Sequence, residues 1–191
     1  MGSNGLPARD ELIQVFSRFY FGQTPDGDPA EWDGLICNEP LLVQRSFFEA
    51  LSSRGARWGF VSGAEPPSAR FLLSERLKLA CPPLVAMGDA PDKPDPTGLL
   101  SLAASILEGP LGPHQPVVAY LGDTVADVQT VVRARQRCPQ QAFVSLAVAP
   151  PHLHQAGQEK RRESYERQLK TAGADFVLTQ TSEAIAWVDQ L

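Results

Sequence analysis

PVVAYLGDTVADV, residues 116 to 128, is the stretch that decides how this chain folds. Val117, Val118, Ala119, Tyr120 and Leu121 make a short apolar run, the pattern of a strand covered on both faces. Gly122 lets the backbone turn, Asp123 stands at the strand's carboxyl end, and Asp127 follows one helical turn later. Ligands of open α/β sheets bind at that end of the strands. Two acidic groups placed there point to a hard cation held by oxygen ligands, magnesium above all. Thr124 or Asp123 as the N-cap of the following helix is an equally natural use of the same residues.

Outward from this stretch the pattern alternates. Upstream, RWGFVSG reads as a strand of about five residues. A helix from about Ser68 to Lys78 leads to a strand at LVAM, and one from about Thr97 to Glu108 leads to VVAYL. Downstream, a helix from about Ala126 to Arg137 leads to AFVSLAV. The charged segment EKRRESYERQLKTAG leads to DFVL and a short closing helix. Alternation with short links predicts an α/β fold, a three-layer sandwich around a parallel Rossmann-like sheet. In EKRRESYERQLKTAG, Tyr165, Leu169 and Ala172 make an inward stripe, with Glu163–Arg167 and Glu166–Lys170 pairs expected outside.

Residues 1–45 differ. ARDELIQVFSRFYFG places Leu12, Val15, Phe16 and Phe19 on one face of a helix ending near Gly22, and a Gly/Pro/Asp-rich loop follows. QRSFFEALSSRG then forms a short helix stopped by Gly55. The expected division is an accessory helical segment over 1–45 and an α/β body over 46–191.

With 191 residues, 43% hydrophobic and 20% charged, the chain is globular in composition and long enough for a real core. A formal charge of −5 argues against nucleic acid or an anionic membrane as partner. No apolar run approaches the roughly 20 residues a membrane span needs, and the N-terminus lacks the blocks of a signal peptide. Cys37, Cys81 and Cys138 form no C-x-x-C pair and read as free thiols, which makes the cytoplasm the expected location.

Three segments carry chemistry, each at a strand's end or a helix's start. In FVSG, the Ser62 hydroxyl and the open backbone at Gly63 can hold a phosphate oxygen. In DAPDKPDPTG, Lys93 sits in a Pro-flanked loop where Asp95-Pro96 starts a helix, and can neutralise a phosphate or carboxylates. The third is GDTVADV. His152 and His154 form H-x-H without further ligands nearby and read as a solvated loop. Trp32 and Trp58 read as packing residues.

FVSG, DKPDP and GDTVAD, in this order, resemble the later motifs of the haloacid dehalogenase superfamily, over roughly residues 40 to 191. The resemblance implies a magnesium-dependent hydrolase of a small phosphorylated metabolite. Ser62 and Lys93 would act in catalysis, Ser62, Gly63 and Lys93 would bind phosphate, and Asp123 and Asp127 would hold Mg2+. It further implies that residues 1–45 are the remnant of a helical cap.

One element of the family pattern has no counterpart: an apolar strand ending in D-x-D, which carries the nucleophile and the general acid/base. Asp26-Gly27-Asp28 follows no buried strand, nor does Asp33-Gly34, and both read as turn chemistry. The chain is therefore expected to begin after the family's first strand. Self-association, or a protein partner covering the incomplete sheet, is expected in consequence. The alternative to an enzyme is a non-catalytic relative that binds phosphate or protein. A receiver-like or nucleotide-binding domain is disfavoured, since neither G-x-G-x-x-G nor a P-loop occurs.

Overall fold

The computed structural model describes residues 8–24 and 27–190. Asp26, half of the first D-x-D decoy, lies outside them. Its neighbour Asp28 accepts the Ala30 N–H at 2.9 Å and starts a short 3-10 turn, Pro29–Glu31.

The body alternates strand and helix. After helices α1 (Arg9–Tyr20) and α2 (Arg45–Ser53) come strand β1 (Phe60–Val61), helix α3 (Pro66–Arg70) and strand β2 (Leu84–Val85). Helix α4 (Thr97–Ile106), strand β3 (Val118–Gly122), helix α5 (Val125–Arg137) and strand β4 (Phe143–Val148) follow. Helix α6 (Glu159–Ala172), strand β5 (Phe176–Leu178) and helix α7 (Ala184–Val188) complete the chain. The class is α/β with parallel strands, as the alternation predicts.

The sheet expected to lack its first strand is divided into two sets of strands, between the strand leading to Ser62 and the strand leading to Asp123. One pairs β1 with β2, and the other runs β3-β4-β5, all parallel. Ser145 of β4 lies opposite Tyr120 of β3, and Ala147 opposite Gly122. β4 has a strand on each side, which is why FVSLAV is almost wholly buried.

β1 is shorter than its sequence suggests because β2 follows Pro82-Pro83. Proline has no N–H to give a ladder. Pro83 still accepts from Phe60 N–H at 2.9 Å, and the pairing stops there. The helix expected over 68–78 is also broken. α3 widens after Arg70 into π-type turns over Phe71–Arg76, with Leu77 N–H reaching back to the Leu72 carbonyl at 2.9 Å.

Four apolar clusters hold these pieces together. Phe48 of α2 packs with Leu73, Leu77 and Leu79, and with Trp58, Phe60 and Leu84 around them, under the β1–β2 pair. Leu99, Val131, Ala134 and Phe143 join α4 and α5 to the larger sheet. Val128, Ala147 and Leu169 join α5, β4 and α6, with the predicted stripe of Tyr165 and Ala172 against them. Phe21, Trp32 and Ile36 form a separate cluster that meets the body through Phe71 and Leu72. Trp32 and Trp58 are thus packing residues.

Polar groups set the approach to β3. The buried Gln141 accepts from Gly112 N–H at 3.0 Å and donates to the Pro116 carbonyl at 2.8 Å, fixing the loop that enters the strand. On α6 the expected Glu163–Arg167 and Glu166–Lys170 pairs do not form. Glu166 turns instead to Arg162, at 3.5 Å. Arg162 sits on the half-buried side of the helix, where an ion pair loses less to solvent.

Candidate active site

The site grows from the turn between β3 and α5. Thr124 has extended backbone and caps α5: its Oγ1 accepts the Asp127 N–H at 3.1 Å. Asp127 reciprocates, with Oδ2 accepting the Thr124 N–H at 3.0 Å and the Thr124 hydroxyl at 2.6 Å. This is a capping box, which satisfies donors a helix start leaves free. The cap and the site are therefore one structure, and the two readings of GDTVAD do not compete.

The second oxygen of Asp127 faces the rest of the site. Oδ1 accepts from Lys93 Nζ at 2.6 Å and from the Tyr120 hydroxyl at 3.1 Å. Asp127 is 3% exposed and both its oxygens are fully engaged. Burial by itself raises its pKa, but the Lys93 and Thr124 hydrogen bonds outweigh that and hold the carboxyl below the usual carboxylate range.

Gly122 makes this position accessible to Asp127. A Cβ there would overlap Asp127 Cβ and stand 2.5 Å from its Cγ. Glycine is needed at 122 for close approach, not for an unusual φ.

Asp123 is the contrasting carboxylate. Its backbone carbonyl accepts from the Tyr165 hydroxyl of α6 at 2.9 Å, which fixes the turn. Burial, then the charge of Asp127, raises the pKa of its carboxyl, while Lys93 and His152 pull it down less strongly. His152 belongs to the turn Pro151–His154 after β4, so that loop is electrostatically part of the site.

The native pKa of Asp123 lies above its unfolded value, so its favourable contribution is complete below the unfolded pKa and lost as pH rises through the native one. Asp123→Asn is therefore expected to raise the melting temperature at pH 7, by the equivalent of about 1 kcal/mol, a common gain when a site charge is neutralised. Melts at about pH 3.5, below the model-peptide Asp pKa, should show the gain gone. An equal gain at both pH values would defeat the assignment.

β1 supplies the other side. The Val61 carbonyl accepts from Tyr120 hydroxyl at 3.4 Å, a long bond that bridges the two sheets. Burial and then Asp127 push the Tyr120 phenol up, so it stays a donor at all ordinary pH. Ser62 comes next; its Oγ accepts the Ala64 N–H at 3.0 Å, leaving the hydroxyl proton to donate. A Cβ on Gly63 would meet nothing within 4 Å, so the space beside it is open.

Lys93, Asp127, Asp123 and the end of β1 thus meet through one connected set of contacts. Ser62 joins it through its neighbour Val61 and makes no direct bond to Lys93 or either carboxylate. Tyr120, Thr124 and Tyr165 are members that the motif reading passed over. Tyr120 had a visible signal, since a buried tyrosine hydroxyl in a strand needs a partner.

No protein-family model matches the chain, and no curated protein does. A solved structure does: the phosphonoacetaldehyde hydrolase-like protein from Oleispira antarctica superposes with a TM-score of 0.57 at 20% sequence identity. The fold is haloacid dehalogenase-like. The match covers 76% of this chain and 55% of that one, so the chain spans about half the length of the structure it resembles. Within this haloacid dehalogenase-like fold, the turn after β3 carries GDTVAD and the loop before α4 carries Lys93.

As a place for magnesium, the site offers one open carboxylate. Among the described residues no group of three or more His, Cys, Asp or Glu side chains gathers in metal-binding geometry. Asp127 is saturated by protein donors, whereas the carboxylate of Asp123 accepts no donor from another of the described residues, and its charge is only partly offset by Lys93 and His152. Magnesium commonly takes only one or two carboxylates, with water and phosphate oxygens filling its octahedron, so Asp123 fits as a single protein ligand. Among the described residues no helix is long and apolar enough to cross a membrane.

Proposed function

We propose that this chain is the phosphate- and cation-holding body of a magnesium-dependent phosphomonoesterase of the haloacid dehalogenase type, acting on a small phosphorylated metabolite in the cytoplasm. The observation that carries the reading is the Lys93–Asp127 ion pair, fixed at 2.6 Å beside the open carboxylate of Asp123. A half-buried lysine paired with a buried carboxylate at the carboxyl ends of parallel strands is costly to maintain for stability alone. As an anion holder it is pre-oriented.

Each residue has a role in this reading. Asp127 positions Lys93, whose remaining N–H donors meet phosphoryl oxygens. Ser62 donates its hydroxyl proton to another phosphoryl oxygen, and the open space at Gly63 admits the substrate. Asp123 ligates Mg2+, which when bound neutralises charge on the phosphoryl group. Transfer to an aspartate nucleophile, then to water, is the reaction class. That aspartate would sit on a strand between β1 and β3, and residues 1–45 would form part of a cap.

A second reading, a phosphate- or protein-binding module without turnover, is favoured by one observation: among the described residues no strand ending in D-x-D occurs. Two measurements separate them. Inorganic phosphate with Mg2+ should bind the chain by calorimetry, and Lys93→Ala should weaken it at least tenfold, about the worth of one charge-assisted contact. Mg2+-dependent hydrolysis of p-nitrophenyl phosphate by the whole protein, the strand that bears the nucleophile included, abolished by Asp123→Asn, selects the enzyme; binding without hydrolysis there selects the module. No phosphate binding at all sinks both as phosphate sites.

A further inference from the structure

The face of α1 carrying Leu12, Val15, Phe16 and Phe19 is turned outward, although its sequence is that of a buried face. These four side chains are 54%, 55%, 57% and 69% exposed, whereas Ser17, on the opposite side of the helix, is buried. At 3.6 residues per turn they fall within an arc of roughly 100°. Leu35, on the short turn Leu35–Cys37 packed beside α1, adds a further exposed apolar side chain. Soluble monomers rarely show a contiguous apolar patch of this kind without a use for it.

The charges beside the stripe identify the occupant. Glu11 and Arg18 lie on the same flank of the stripe, seven residues or about two turns apart. Arg18 has no ion pair among the described residues. Glu11 uses one carboxylate oxygen on the Ala8 N–H at 3.2 Å and has the other to spare. When two helices pack antiparallel about a twofold axis, each flank meets the same flank of its partner. A second α1 centred between Val15 and Phe16 brings Glu11 within two residues' rise, about 3 Å along the axis, of the partner's Arg18, and Arg18 equally near the partner's Glu11. Leu12 then faces the partner's Phe19, and Val15 the partner's Phe16. In a parallel pair Glu11 would meet the flank that carries Arg9 and Ile13, but Arg18 would face Phe16 and Tyr20 and find no acidic partner.

We infer that α1 is a homodimerisation helix, whose outward Leu12-Val15-Phe16-Phe19 stripe packs antiparallel against the same stripe of a second copy, registered by reciprocal Glu11–Arg18 pairs. This surface is distinct from the sheet, where a covering partner was expected, and is independent of the phosphohydrolase reading.

Sedimentation velocity of the full chain from about 1 to 100 μM, the range over which contacts of moderate size form, is the test. A monomer–dimer equilibrium is expected. Phe16→Ser/Phe19→Ser should weaken it at least a hundredfold, as loss of central aromatic anchors does. Arg18→Glu should weaken it about tenfold, because the twofold axis repeats each repulsion. Adding Glu11→Arg to Arg18→Glu should restore it to within about threefold of the parent, the usual spread for rim pairs. Circular dichroism confirms that each variant is folded, and the charge-reversal pair decides the matter if the double phenylalanine variant is not. A chain that stays monomeric throughout, association indifferent to Phe16 and Phe19, or reversal without rescue each overturns the inference.

Discussion

Replacing Asp127 by alanine should lower the stability of the chain by about 3–5 kcal/mol near neutral pH, the range for removing one partner of a buried ion pair. The size follows from what the carboxylate holds. Lys93, Tyr120 and both donors of Thr124 converge on its two oxygens. The truncation strands a lysine whose side chain is three-quarters covered, removes half of the capping box of α5, and frees the tyrosine hydroxyl that reaches β1. Asp127→Asn should cost less, since an amide oxygen can still accept from Thr124.

The pH dependence identifies the cause. The carboxyl of Asp127 is held below its unfolded value, so its stabilisation is present above that value and lost as pH falls through the native one. The difference between parent and Asp127→Ala should thus be constant from neutral pH to about 5 and shrink below it. Urea unfolding at a series of pH values measures this. A difference that does not change with acid would mean that packing, not charge, accounts for the loss.

Gly122→Ala should have the second-largest effect, about 2–3 kcal/mol, at the upper end for forcing a methyl into packed space. The added carbon would overlap Asp127 Cβ, lie 2.5 Å from Cγ and 2.8 Å from Oδ2. These atoms sit at the base of a short side chain, so they cannot swing aside without leaving Lys93 and Thr124. Gly122→Ala and Asp127→Ala should therefore be non-additive, with a coupling of about 1 kcal/mol or more in a double-mutant cycle. Gly63→Ala, where a Cβ meets nothing, should be close to neutral and serves as the control. Strict additivity of the first pair would refute the steric account.

The fold was legible because its strands are short apolar runs separated by amphipathic helices, and that pattern needs no tertiary knowledge. Every α/β element from Phe60 onward lies where the alternation places it. What escaped the pattern was pairing. Nothing local in RWGFVSG announces that Pro82-Pro83, more than twenty residues on, will cut its ladder to two residues. The π-type turns over Phe71–Arg76 were hidden for a similar reason, since FLLSER has ordinary helix formers.

At the site, Lys93 and Asp127 could be named from their motifs, but their roles could not be apportioned. The spacing of Asp123 and Asp127 treats them as equivalent carboxylates. Only the surroundings separate them, one saturated by four donors and the other left open with its proton affinity raised. Tyr120 was counted as an apolar member of its strand, which it also is. On α1 the stripe was read correctly as a stripe. Which way it faces depends on neighbours that the helix itself does not encode.

Among the described residues, no backbone hydrogen bond joins β1 to β3; the long Tyr120–Val61 contact is the bridge between the two strands. Cooperativity normally carried by a continuous ladder must here pass through side chains, chiefly α4, which packs on β1, β2 and α5. The β1–β2 lobe and the β3–β4–β5 lobe, each with its own core, are thereby expected to open as two units at a soft joint, which the ion pair of Lys93 with Asp127 spans. Whatever tightens or loosens that joint also sets how firmly the lysine is aimed.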